Sequence, residues 1–264
     1  MIWGLLLLAG LLAGTVAGLL GVGGGLITVP IMVWLLPQLG VPAEQVMHVA
    51  VATALAIIIP TAIVSARSHH QRGAVDWSLF ARFTPGLLLG GLLAAAIASL
   101  LPRFWMQFLF GTFLLLVALS MLLGEPRLAG RALISRLEQF IVATLIASWA
   151  ALVGTGGGTL TVPYLYWRGV ALRTAVGTSA ACGLPIALAG MLGFVWIGLG
   201  ETADEAFFGY VQWQVAGLMM LGSVLAAPWG AKLAHQLPVP VLKKILGGVM
   251  LLVAGRLLWG LQTL

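Results

Sequence analysis

Apolar stretches bounded by charged residues or by Pro and Gly turns cover residues 3–36, 45–66, 77–101, 104–123, 138–167, 174–199, 210–235 and 240–262. Most hold about 20 to 26 residues, enough as helix to cross a hydrocarbon core of ~30 Å. The first and fifth are longer, at about 30 residues, and are interrupted midway by Gly21-Val22-Gly23-Gly24-Gly25 and Gly154-Thr155-Gly156-Gly157-Gly158. The pattern predicts an all-α integral membrane protein in which each interrupted segment forms two half-helices of ~20 Å.

The two interruptions resemble each other. GVGGGLITVP (Gly21 to Pro30) and GTGGGTLTVP (Gly154 to Pro163) agree at seven of ten positions. The likeness continues in order at offsets of 133, 125 and 136 residues: Thr53 and Pro60 match Thr178 and Pro185, Trp77 matches Trp213, and Gly86, Pro102 and Gly111 match Gly222, Pro238 and Gly247. An ordered series of this kind points to an internal duplication. The expected organisation is a membrane repeat over 1–124, a cytoplasmic connector over 125–137 and a second membrane repeat over 138–264. Each repeat is a Gly-broken segment followed by three transmembrane helices.

Composition identifies the solvent. Of 264 residues, 61% are hydrophobic and 8% charged, 35 are glycine, and the mean hydropathy is +1.10. Soluble domains carry about 25% charged residues, so a cytosolic enzyme, a nucleic-acid-binding domain and a disordered regulator are excluded, and the outer surface faces lipid. The net charge of +6 then reads as basic cytoplasmic loops and not as a nucleic-acid partner. Cys182 is the single cysteine, and His48, His69, His70 and His235 are scattered, so no disulfide, metal or other cofactor is expected. The opening MIWGLLLLAGLLAG lacks a preceding Lys or Arg and a small-residue cleavage site, and reads as a retained membrane segment.

Charge also discriminates between topologies. With eight full crossings and an inner N-terminus, seven Lys and Arg fall inside and six outside, which is no bias. With the first and fifth segments as re-entrant hairpins, Arg67, Arg72, Arg82, Arg127, Arg131, Arg136, Arg168, Arg173, Lys232, Lys243 and Lys244 lie inside, and only Arg103 and Arg256 outside. The positive-inside rule favours the second arrangement, in which the outer loops carry Glu44 and the cluster Glu201, Asp204 and Glu205. The repeats are then inverted, both termini are outside, and the hairpins dip in from opposite faces. Half-helices of ~20 Å are somewhat long for a hairpin, so full crossing stays open.

Triple glycine inside a membrane segment exposes N–H and C=O groups that lipid cannot satisfy, which is tolerated only where protein covers them or a polar cavity passes. Two such breaks in an inverted repeat would meet near the bilayer midplane, where transporters with discontinuous helices hold substrate. The half-helices that begin after Gly25 and Gly158 offer free N–H donors and partial positive charge, which suit an anion. The candidate site is the backbone of Gly23, Gly24, Gly25, Gly156, Gly157 and Gly158. Hydroxyls join it from Thr28 and Thr161, one turn into the half-helices, and from Thr53, Thr178 and Ser179 in VATAL (Val51 to Leu55) and VGTSA (Val176 to Ala180). The competing readings are glycines that only let helices approach and hydroxyls that bond their own helix carbonyls.

No carboxylate lies away from a predicted helix end, unlike the pattern of a proton-driven pump. His48 reads as an interfacial anchor, and Arg256 as a residue that snorkels outward or lends charge to an anion path. Cys182 reads as a packing residue, and Trp77 and Trp213 as members of the aromatic belt. The segments Arg67 to Trp77 and Glu125 to Glu138 read as solvated cytoplasmic connectors. The nucleotide-loop signal of GxGGG is negligible, since no strand precedes it and no Gly-Lys-Ser/Thr follows.

AGLLGVGGGLITVPIM, its second copy ALVGTGGGTLTVPYL, the AVGTSA stretch of Ala175 to Ala180 and the RGAVDW loop resemble the sulfite exporter TauE/SafE family of membrane permeases, over essentially the whole chain. The paired GxGGG-x-x-TVP motif is the most specific part. The resemblance implies movement of a small sulfur-containing or organic anion, such as sulfite or a sulfonate, across the bacterial inner membrane by secondary transport or facilitated diffusion. The first half departs from the pattern, with VATAL where Gly-Thr-Ser is usual, which makes Thr53 a weaker candidate than Thr178 and Ser179.

Together these readings give a multi-pass permease of the bacterial inner membrane, not an enzyme, that holds a small anion between the breaks by hydrogen-bond donors and works by alternating access. Its partners are that anion and the lipid bilayer, without nucleic acid; the oligomeric state is left open. An anion channel would share the donors without a coupling ion. An intramembrane enzyme would need a nucleophile with a base at depth, and Ser148, Ser179 and Ser223 have no evident buried histidine.

Overall fold

A computed structural model describes residues 2–21, 23–123, 135–201, 205–233 and 239–260. Arg127 and Arg131 of the connector, Asp204, His235 and Pro238 lie outside the described residues. The apolar stretches fold as α1 (Ile2–Leu20), α2 (Gly25–Leu35), α3 (Val46–His70), α4 (Trp77–Ala98), α5 (Arg103–Leu123), α6 (Arg136–Leu152), α7 (Gly158–Trp167), α8 (Leu172–Gly198), α9 (Trp213–Leu233) and α10 (Val239–Trp259). Of these, α3, α4, α5, α8 and α9 are long and apolar enough to cross a membrane. Leu12, Leu116, Leu145, Leu192, Trp196 and Leu252 project from the outside of the bundle, as lipid-facing side chains do. The protein is a helical, multi-pass membrane protein.

Glycine decides which helices touch. A Cβ added to Gly10, Gly14 or Gly18 of α1 would run into the backbone at Met219, Ser223 or Ala227 of α9, so the two helices lie parallel in near backbone contact. Gly86 and Gly90 of α4 meet Phe140 and Thr144 of α6 in the same way, again parallel. Small residues of this kind let helices approach where lipid supplies no hydrophobic drive for association. α3 and α8 cross antiparallel, with Leu55 beside Gly190 and Ala62 beside Gly183. α5 and α10 are also antiparallel, pairing Gly111 with Leu258 and Leu122 with Gly247.

Directions follow from these contacts. Thr53 lies at Gln212 and Thr61 at Ser223, so α3 runs with α9 and therefore with α1. Since α1 and α3 point the same way, α2 carries the chain back between them. Asp76 lies at Thr178 and Gly91 at Ala189, so α4, α6 and α8 share the opposite direction. Arg67, Arg72, Arg82, Arg136, Arg168, Arg173 and Lys232 consequently fall at the end where α3 and α9 finish and α4, α6 and α8 begin. Arg103, after the end of α4, and Arg256, exposed in the last turn of α10, lie at the other end. That second end also holds Glu44 and Glu201, and there the Gln45 side-chain amide donates to the Glu201 carbonyl at 3.1 Å.

Three expectations change. The interrupted segments do not break midway: α1 has 19 residues against 11 in α2, and α6 has 17 against 10 in α7, because the first limb stays on its glycine-lined neighbour along most of its length. The connector expected from Arg67 begins later, since α3 continues through His70 and buries Ser68 and His69. His69 Nε2 lies 3.0 Å from the carbonyl oxygen of Gly18, one of the carbonyls that the last turn of α1 leaves without a helical partner. A short β-hairpin, β1 (Phe207–Phe208) with β2 (Val211–Gln212), precedes α9 and turns at Gly209, whose φ is +57°.

Candidate functional site

The two breaks share a left-handed cap, although Gly23, at φ +81°, has no left-handed counterpart at Gly156. Gly24 and Gly157 are the caps of α2 and α7, both at φ +77°, a left-handed conformation that side chains resist. The Gly24 carbonyl accepts from the N–H of Ile27 and Thr28, and the Gly157 carbonyl from Leu160 and Thr161. No side chain caps either helix. The N–H groups of Gly23, Gly24 and Gly25 and those of Gly156, Gly157 and Gly158 make no hydrogen bond to a described residue.

The breaks face each other. A Cβ on Gly23 would lie 2.8 Å from Gly156 Cα, and one on Gly25 would lie 2.9 Å from Thr155 Cα and closer still to the Gly154 carbonyl oxygen. Gly23 touches Ile58 at the middle of α3, and Gly156 touches Gly183 at the middle of α8. Two left-handed, donor-rich turns thus meet where the two central helices cross. Gly154 through Gly158 are buried, as are Gly24 and Gly25.

The candidate hydroxyls divide into two groups. Thr28 and Thr161 are fully buried one turn into α2 and α7. The Thr28 hydroxyl reaches the carbonyls of Gly24 and Gly25 only at 3.5 and 3.4 Å, and Thr161 Oγ1 has no partner. Thr53 and Thr178 are instead engaged by backbone, accepting from the N–H of Gln212 at 3.1 Å and of Asp76 at 2.9 Å. Ser179 donates to the Gly21 carbonyl at 3.3 Å and so braces the first break.

With that geometry in view, the sequence profile described as Sulfite exporter TauE/SafE matches residues 6–257. The chain belongs to this family. The TauE/SafE chain is 33% identical over 243 residues to a probable membrane transporter protein of Haemophilus influenzae, covering 91% of this chain and 92% of that one. It is 27% identical over 258 residues to one of Xylella fastidiosa, covering 95% and 93%. A third relative, the probable membrane transporter protein YunE of Bacillus subtilis, is 25% identical over 279 residues, covering 97% of each. No solved structure matches.

Residues of this TauE/SafE protein outside the candidate set are also buried among the helices that hold the breaks. Thr155, inside the second break, is fully buried and donates to the Ala150 carbonyl at 3.3 Å. Thr61 and Ser223 pair their hydroxyls at 2.6 Å across α3 and α9. Arg168, expected among the inner cations, is buried at the end of α7, ion-paired with Glu138 of α6 and lying 4.8 Å over the Trp167 ring. Cys182 is buried beside the central crossing. Among the described residues no group of three His, Cys, Asp or Glu side chains could hold a metal ion.

Proposed function

We propose that this TauE/SafE-family protein is an inner-membrane permease for a small anion, such as sulfite, a sulfonate or a related sulfur or organic anion, received between the two glycine breaks. The observation that carries the reading is the set of N–H groups at Gly23 to Gly25 and Gly156 to Gly158, converging from two helix starts without a described acceptor. Donors and helix-start dipoles attract an oxyanion without a fixed cation, which favours release as well as capture. The idle Thr161 hydroxyl and the loosely held Thr28 hydroxyl add donors at the same level.

The reading includes two inverted repeats with re-entrant α1–α2 and α6–α7 units. It is supported by the antiparallel course of the matched helices α3 and α8, and of α5 and α10, and by the shared direction of α1 and α3. The basic end of the bundle is cytoplasmic under the positive-inside rule. Substrate then gains access alternately from the two faces as one half moves against the other around the breaks.

The test is anion flux in proteoliposomes carrying Thr28→Val with Thr161→Val, which keep side-chain volume and remove both hydroxyls. Flux of sulfite or methanesulfonate should fall at least tenfold and return with Ser at both positions. Undiminished flux in the folded double variant would sink the site.

A further inference from the structure

Resting on the reading of the glycine breaks as the substrate site, we propose that the path from that site to the cytoplasmic face is a hydroxyl-lined seam between α1, α3, α8 and α9, running through Thr61 and Ser65. A cavity of about 10 Å³ adjoins the first break, lined by Ala17, Gly23, Thr61, Ala62, Ser65 and Ala180. That is the room of one water molecule. Ser65 Oγ lines it, is 2% exposed, and has no hydrogen-bond partner. A buried hydroxyl without a partner beside a water-sized space marks a place that a ligand or water fills.

The neighbouring hydroxyls can redirect their protons. Thr61 donates to the Ile57 carbonyl at 2.8 Å and lies 2.6 Å from Ser223 Oγ, where either atom can be the donor. With the chamber empty of anion, Thr61 serves Ile57 and receives the Ser223 proton. When an oxyanion arrives, the Ser65 proton is available directly, and the Thr61 proton turns away from Ile57. Uncharged donors replace part of the anion's hydration without trapping it.

The seam is one-sided. Thr61, Ser65, Ser68 and His69 are all buried and follow one another at helical spacing from mid-membrane to the basic end of α3. At the matching positions of α8, 125 residues later, stand Ile186, Gly190, Gly193 and Phe194, and the counterpart of Ser223 in α4 is Leu87. Ile186 Cδ1 lies 2.5 Å from where a Cβ on Gly157 would be, and Leu55 Cδ1 lies 3.0 Å from that of Gly190. At those positions the outer half places the buried apolar side chains of Ile186, Leu55 and Phe194 where its partner half carries hydroxyls.

The test is thiol accessibility in membrane vesicles of both orientations, in a Cys182→Ala background. Ser65→Cys and Ala62→Cys should react with a charged, membrane-impermeant maleimide at least tenfold faster from the cytoplasmic side, and methanesulfonate should slow the reaction. Phe194→Cys, buried toward the outer end of α8, should not react from that side. If both seam variants fold and neither is reached from the cytoplasm, or if Phe194→Cys reacts from there as fast, the seam is overturned while the glycine-break site stands. Cytoplasmic labelling that methanesulfonate does not slow supports the seam and counts against the site.

Discussion

The backbone N–H of Asp76 donates to the hydroxyl of Thr178 at 2.9 Å, binding the start of α4 to the body of α8. The bond has a twin, Gln212 N–H to the Thr53 hydroxyl at 3.1 Å, at the start of α9. Each of these starting residues then caps its own helix: Asp76 Oδ1 accepts from the Leu79 N–H at 3.0 Å, and Gln212 Oε1 from the Val215 N–H at 2.6 Å. A single threonine in each central helix thus sets the register of the helix beside it.

Replacing Thr178 by Val should destabilise the fold by about 1–3 kcal/mol, the cost of leaving a buried N–H without an acceptor. Thr53→Val should act alike at its own junction, and Ser at either position should restore most of the loss. Thermal unfolding in detergent, followed by the loss of helical circular dichroism, reads this directly; equal stability of the Val and Ser variants would contradict it.

The glycine seam between α1 and α9 gives a graded expectation. Gly14→Ala drives a methyl into the Ser223 backbone and should cost at least about 1–3 kcal/mol through overpacking. Gly217→Ala, on α9 with open space around it, should be neutral or gain up to about 1 kcal/mol from helix propensity. Comparing the two midpoints separates packing from a general effect of losing glycine.

Arg168 and Glu138 hold α7 to α6 at the basic end. Glu138→Gln leaves a buried guanidinium short of its counter-charge, for which a loss of roughly 3–5 kcal/mol is typical, lowered here because Glu138 is partly exposed. Replacing both, as Arg168→Met with Glu138→Leu, should recover part of that stability. A double variant less stable than Glu138→Gln alone would show that Arg168 acts mainly through its other neighbours, the Tyr164 and Trp167 rings.

Gly25→Ala should abolish anion flux with little effect on membrane insertion, because the new methyl meets the Gly154 carbonyl and forces the two breaks apart. At matched incorporation into proteoliposomes, a drop of at least tenfold is expected. Wild-type flux would mean that close approach of the breaks is dispensable.

The helices stand within a few residues of the apolar stretches: the stretch 45–66 lies almost wholly inside α3, which runs on past Arg67, and 77–101 brackets α4. Tertiary partners were not legible. RSHHQR reads as solvated, but nothing local announces that the last turn of α1 offers the Gly18 carbonyl to His69. Thr53 and Thr178 look like candidate ligands because they recur, and they recur because each receives the N–H of a helix start more than a hundred residues distant. The glycine breaks were legible, because side chains resist the left-handed turn at Gly24 and Gly157.

The parallel seating of α1 on α9 sets an order of assembly in the membrane. Gly14 meets Ser223, 209 residues further on, so α1 enters the bilayer long before its seat has been synthesised. α6 has no such wait, since α4 precedes it. The α6–α4 contact can close while translation continues, and the α1–α9 contact can close only as the chain is being completed. A chain arrested before Trp213 carries a first helix whose glycine face lacks its seat.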